Sequence, residues 1–206
     1  MSLVQIQGNA GGTGTLTVAA PSTNTNRTLT LPDGTGTFSV AGVNSNIVAG
    51  TAVASTSGTS IDFTGIPTWV KRITVMFVSV STNGTSPPQI QLGYQSPVTT
   101  TGYLGANSLS SGVITTNANF TSGFGIGVST AVWTAAAVVH GFVVLNLQNI
   151  STNTWTACGN IASSAGAAVF FTAGSIALGG ALDRVRITTV NGTDTFDAGS
   201  INILYE

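Results

Sequence analysis

Only 11 of the 206 residues carry a formal charge, five basic and six acidic, while 42% are hydrophobic and Gly, Ser, Thr and Asn make up most of the remainder. Ordinary soluble domains are about 25% charged, and charge of both signs keeps monomers apart, so this composition predicts a native state that hides much of its surface in an assembly. It excludes disorder, which pairs low hydrophobicity with high net charge, and with no basic excess it excludes nucleic-acid binding driven by counterion release.

The predicted elements are all strands, because Glu, Lys, Gln and Arg are scarce while Thr, Val, Ile and Phe recur in short runs punctuated by Gly, Asn and Pro. Residues 15–19, 28–31 and 36–40 read as the strands of a thin β-arm. In RTLTLPDGTGTFSV, Leu29 and Leu31 share one face and Thr28 and Thr30 the other. Pro32-Asp33-Gly34 supplies a turn. The arm, residues 1–43, is too thin to bury a core alone. Residues 44–60, rich in Gly, Ser, Ala and Thr, read as a linker, and residues 61–206 as the main domain.

The main domain opens on Ile61 and Phe63 and continues into WVKRITVMFVSVST, residues 69–82, the densest β-branched run of the chain. There Val70, Ile73, Val75, Phe77, Ser79 and Ser81 fit no single period. Asn83-Gly84 follows as a turn, and further strands are predicted at 89–94, 113–116, 125–128, 137–147, 154–161, 169–172 and 185–190. At the end, Asn191-Gly192 is the favoured pair for a two-residue hairpin turn, and Ile201, Ile203 and Tyr205 form one apolar face. Eight or more strands without helical interruption predict an all-β fold, an antiparallel β-sandwich of jelly-roll type.

No membrane contact or secretory signal is expected. The uncharged stretch 159–182 is broken by Gly and Ser, unlike a Leu-, Ile-, Val- and Phe-rich span. Residues 1–10 have neither a basic start nor an apolar run. The single Cys158 makes no internal disulfide, and no spacing suggests a zinc site.

Groups for catalysis are sparse. His140 lies in AAAVVHGFVVLNL without a nucleophile motif beside it, and reads as a structural or interface histidine. Asp33 belongs to a turn and Asp62 borders a strand, while Asp194 and Asp197 stand where they can pair with Arg184 or Arg186 across the last hairpin. Lys71 and Arg72 point to opposite faces of a strand and make no basic patch. Trp69, Trp133, Trp155, Tyr94 and Tyr103 suit sugar stacking as well as a core; Tyr94 and Tyr103 are the candidate glycan contacts, together with loops such as residues 96–111. Five Asn-x-Ser/Thr matches, at Asn26, Asn83, Asn119, Asn149 and Asn191, are the chance yield of a chain this rich in Ser and Thr. The Gly-rich GNAGGTGT and GFGIG lack the context of phosphate loops and read as turns. No catalytic residue, metal or cofactor is expected.

The opening GNAGGTGTLTVAAPSTNTNRTLTLPDGTGTF, residues 8–38, resembles a segment recurrent in tailed-bacteriophage virion proteins, tail fibres above all, and residues 28–37 carry the sharpest likeness. SIDFTGIPTWVKRITVMFVSVSTNGTS and the ending TDTFDAGSINILYE look like domains carried on phage structural proteins. The resemblance implies a homotrimer without enzymatic activity on the virion surface. Its arm would contact other virion proteins or wind with its neighbours, with Leu16, Val18, Leu29, Leu31 and Phe38 as the docking residues. Brevity favours a capsid decoration or cement protein; a tail fibre or tail-tip protein binding a host surface glycan is the alternative.

Overall fold

A computed structural model of the protein describes residues 11–13, 22, 24–26, 47–112, 114–128, 133–164 and 167–206. The chain divides into two units, Met1–Ser39 and Val40–Glu206. The described residues of the first are solvent-exposed turn, bend and coil. The strands predicted at 15–19, 28–31 and 36–40 lie outside the described residues, as do the docking candidates Leu16, Val18, Leu29, Leu31 and Phe38.

The second unit is built of β1 (Val48–Ala49), β2 (Val53–Ala54), β3 (Ser60–Thr64), β4 (Arg72–Thr82), β5 (Pro88–Gly93), β6 (Leu104–Ser111), β7 (Ile114–Phe120), β8 (Phe124–Gly125), β9 (Val139–Asn149), β10 (Thr154–Ser163), β11 (Ala168–Ala177), β12 (Arg184–Thr189) and β13 (Phe196–Tyr205). Every strand pairing among the described residues is antiparallel. Nine strands form one sheet in the order β1-β13-β4-β9-β10-β11-β6-β7, with β2 also on β13; β3-β12-β5-β8 form a second.

Alternation of side chains decides how these sheets meet. Along β10, Trp155, Ala157 and Ile161 are buried while Cys158, Asn160 and Ala162 are outside; along β11, Phe170 and Ile176 are buried while Phe171 and Ala173 are outside. The small sheet contributes Ile90, Leu92, Val185 and Ile187 to the same apolar cluster. One core therefore lies between the two sheets, and the far side of the nine-stranded sheet faces out.

The irregular period of residues 69–82 has a physical cause. Ile73, Val75 and Phe77 are buried in strict alternation, then the register slips and Val80 takes the next core position. The slip is a β-bulge, an extra residue in one strand of a pair. Ser79 there has a positive φ of 55°, and its N–H is accepted by His140 Nδ1 at 3.3 Å. The neighbouring strand β13 shifts register beside it around Gly199, whose φ is 90°. A Cβ at Gly199 would collide with the Ser79 carbonyl oxygen.

The predicted C-terminal hairpin is corrected. β12 belongs to the small sheet, between β3 and β5, and β13 to the large one, between β1 and β4. Asn191-Gly192 does turn the chain, with Gly192 at φ 70° and its N–H on Thr189 O at 3.0 Å, but the connection arches from one sheet to the other. Val185 and Ile187 on β12 and Ile201 and Ile203 on β13 are all buried, which an arch allows by turning both strands towards one core. A local turn signal cannot tell an arch from a hairpin.

Three other predictions need adjusting. Residues 44–60, read as a linker, include β1 and β2, which add to the exposed edge of β13 through pairs such as Val48 with Tyr205 and Val53 with Ile201. Residues 104–111, read within a loop, form β6, a full strand of the large sheet. The strand predicted at 125–128 is the short β8, Phe124–Gly125.

Candidate functional site

Among the described residues, the charged side chains are engaged in holding strands and loops. Arg186 and Asp62 face each other across β12 and β3 and make a two-pronged pair, Nε–Oδ1 at 2.6 Å and Nη2–Oδ2 at 2.8 Å. That contact holds the guanidinium above its ordinary value. Arg184 donates to the adjacent Asp183 at 2.7 Å. The hydrogen bond from Arg184 holds the Asp183 carboxyl below its usual range, and the Gln95 N–H at 3.0 Å adds to it. Arg72 pairs with Glu206 at 2.9 Å. The partnering of Arg184 and Arg186 with Asp194 and Asp197 is thus corrected, because Asp194 stays in the connection between the sheets and Asp197 lies on β13, in the sheet that β12 does not belong to.

Asp194 instead laces two loops. Its carboxylate accepts the Ser86 N–H at 2.9 Å and the Asn191 amide at 2.7 Å, and Asn83 Oδ1 accepts the Thr195 N–H at 2.9 Å. Asp197 accepts a hydrogen bond from the Ser81 hydroxyl. His140 is the acceptor at the β4 bulge. Among the described residues, no group of three or more His, Cys, Asp or Glu comes together, and no helix is long and apolar enough to cross a membrane.

Of the aromatic candidates, Tyr103 is corrected outright. It is 1% exposed, lies edge-on to Phe124 at 5.0 Å, accepts the Leu92 N–H at 2.7 Å and donates to Thr99 O at 3.0 Å. Burial pushes its phenol above the ordinary value, and no face remains for a sugar. Tyr94 is half-buried, its ring laid so close over Gly179 and Gly180 that neither position has room for a Cβ. Trp133 and Trp155 are core residues. Trp69 is different: it is 47% exposed and tilted against Tyr205 at 5.9 Å. From the sequence Tyr205 reads only as part of the apolar face of the last strand, since its partner Trp69 is distant in the chain. Thr68 and Val70, which flank Trp69 in sequence, line a 350 Å³ pocket together with Lys71, Ile150, Asn153 and Leu182.

The largest feature is the outward face of the nine-stranded sheet. Pairing sets one row in register across it: Asn202, Met76, Phe142, Asn160, Phe171 and Ser108. Phe142 and Phe171 are 49% and 48% exposed, and Val78, Val169 and Leu104 on the same face are 58%, 37% and 70% exposed. Cys158 lies exposed in the adjoining row, between Val144 and Ala173. Those rows hold no Asp, Glu, Lys or Arg. Sequence patterning marks most of these residues only as the outer half of a strand and places Leu104 and Ser108 in a loop; their gathering depends on strand order.

Compared with protein-family models, curated proteins and solved structures, the chain matches none. Fold and surface together define the class: an all-β protein of antiparallel sheets around one core, with a neutral, partly apolar sheet face turned outward.

Proposed function

We propose that the protein is a non-enzymatic structural component of a tailed-phage virion, a short trimeric surface protein of the capsid decoration or cement type. In this reading residues 1–43 dock on other virion proteins and the two-sheet unit is a jelly-roll-like head. The observation that carries it is the neutral outward face on a chain with 11 charges: such a surface suits packing in an assembly better than life as a dispersed monomer. The likeness of residues 8–38 to virion segments supplies the setting.

Deleting residues 1–43 tests the docking. Particles assembled with the truncated protein should lack it, while the isolated head keeps its β-sheet circular dichroism. Normal incorporation of the truncated protein refutes docking through the arm, and labelling intact particles distinguishes capsid from tail.

One observation favours the second reading, a tail fibre or tail-tip protein that binds a host surface glycan. The exposed Trp69, braced by Tyr205, offers an apolar platform of the kind on which sugar rings stack. Purified protein should then block phage adsorption and Trp69→Ala should not. Failure of the wild type to bind cells or envelope glycans removes this reading.

A further inference from the structure

We infer that the outward face of the nine-stranded sheet, centred on Phe142 and Phe171, is covered by a second copy of this chain. This deepens the self-association in the function proposed above by naming the surface that carries it.

Three observations lead there. First, among the described residues, half of the exposed large hydrophobic side chains share this face: Val78, Leu104, Phe142, Val169 and Phe171, against Ile47, Val53, Trp69, Ile150 and Val190 elsewhere. Exposed apolar residues scattered singly need no explanation, whereas a contiguous set marks an interaction site.

Second, the size is adequate. The six strands β13, β4, β9, β10, β11 and β6 lie side by side, which at about 4.8 Å per strand and about 3.3 Å per residue makes a face of roughly 29 by 33 Å, or about 950 Å². A stable interface needs about 800 Å² from each partner.

Third, charge selects the occupant. The rows through Phe142 and Cys158 contain no charged residue, and the nearest charges lie at the ends: Arg72, already paired with Glu206 at 2.9 Å, and Asp197, already bonded to Ser81. A charged partner would strip its groups of water against a face that returns no ion pair. A neutral face is matched by another neutral face, and this chain carries one on every copy. A neutral core inside a rim of satisfied charges is also the usual anatomy of an interface.

Cys158 supplies a built-in reporter, because it is exposed in the single chain and would be covered in the oligomer. The test uses the full chain. Sedimentation velocity at micromolar concentration should show an oligomer of the wild type, and a paired substitution, Phe142→Lys with Phe171→Lys, should weaken association about thirtyfold or more. Both side chains point away from the core, so the variant should keep the wild-type circular dichroism; should it not fold, Val78→Asp repeats the measurement at the edge of the face. In the wild-type oligomer Cys158 should react with a soluble thiol reagent at least about tenfold more slowly than in the dissociated variant. A monomeric wild type overturns both the covered face and self-association. An oligomer that survives these substitutions, or in which Cys158 reacts at the rate of the variant, overturns this face alone and leaves self-association to another surface.

Discussion

Tyr103 and Asp183 show how single side chains pin loops to the sheets. The Tyr103 hydroxyl is the acceptor for the Leu92 N–H inside the core. Tyr103→Phe keeps the ring and its edge contact with Phe124 but strands that N–H, so unfolding in urea should show a loss of about 1–3 kcal/mol. Asp183 is the acid-sensitive member. Its carboxyl, lowered from 3.8 by the Arg184 hydrogen bond, takes up a proton more readily in the unfolded chain than in the folded one. Its contribution is therefore complete above 3.8 and fades as the pH falls through the lowered folded value. Melting temperature followed from neutral pH downwards should fall less steeply below that point in Asp183→Asn than in the wild type; equal slopes refute the assignment. Neither role was legible in the sequence. Tyr103 read as a sugar contact because aromatic residues serve cores and binding sites with the same chemistry, and only burial separates the two uses.

At the scale of elements, the bulge shared by β4 and β13 shapes the large sheet. Ser79 occupies a left-handed conformation, Gly199 lies against it, and His140 from β9 accepts the Ser79 N–H. Gly199→Ala would set a side chain at φ 90° against a backbone carbonyl, for which thermal unfolding should register about 1–3 kcal/mol of destabilisation. A change within a few tenths would show that the strands part more easily than their packing implies. The sequence did carry a trace of this device. The apolar period of residues 69–82 breaks after Phe77, and Gly199 interrupts the last strand, but each signal is local and their alignment is not. Strand β6 left less trace: LGANSLSS is poor in β-branched residues and holds its place through ten-residue β11, whose register it follows. The reverse error, the hairpin at Asn191-Gly192, arose because that turn chemistry is the same whether the chain returns to its own sheet or crosses to the other.

For the whole molecule, the scarcity of charge and the neutral outward face make one physical prediction. If association buries apolar area with no ion pairs across the interface, its strength should change little between about 0.05 and 0.5 M salt. Equilibrium sedimentation across that range checks it, and a steep weakening with salt would point to a charged interface elsewhere.

Composition and alternation by themselves determined that this chain is all-β, that its core residues are the apolar halves of short strands, and that its few ionisable groups are spread among strands and turns. These are local properties, set by side-chain period and turn chemistry within a few residues. Tertiary structure alone decided which strands share a sheet, and with that which outward halves meet. Phe142 and Phe171, 29 residues apart, join one surface only because β10 lies between their strands in register. Strand order is a global choice among many locally equivalent pairings, and the broad neutral face exists only once that choice is made.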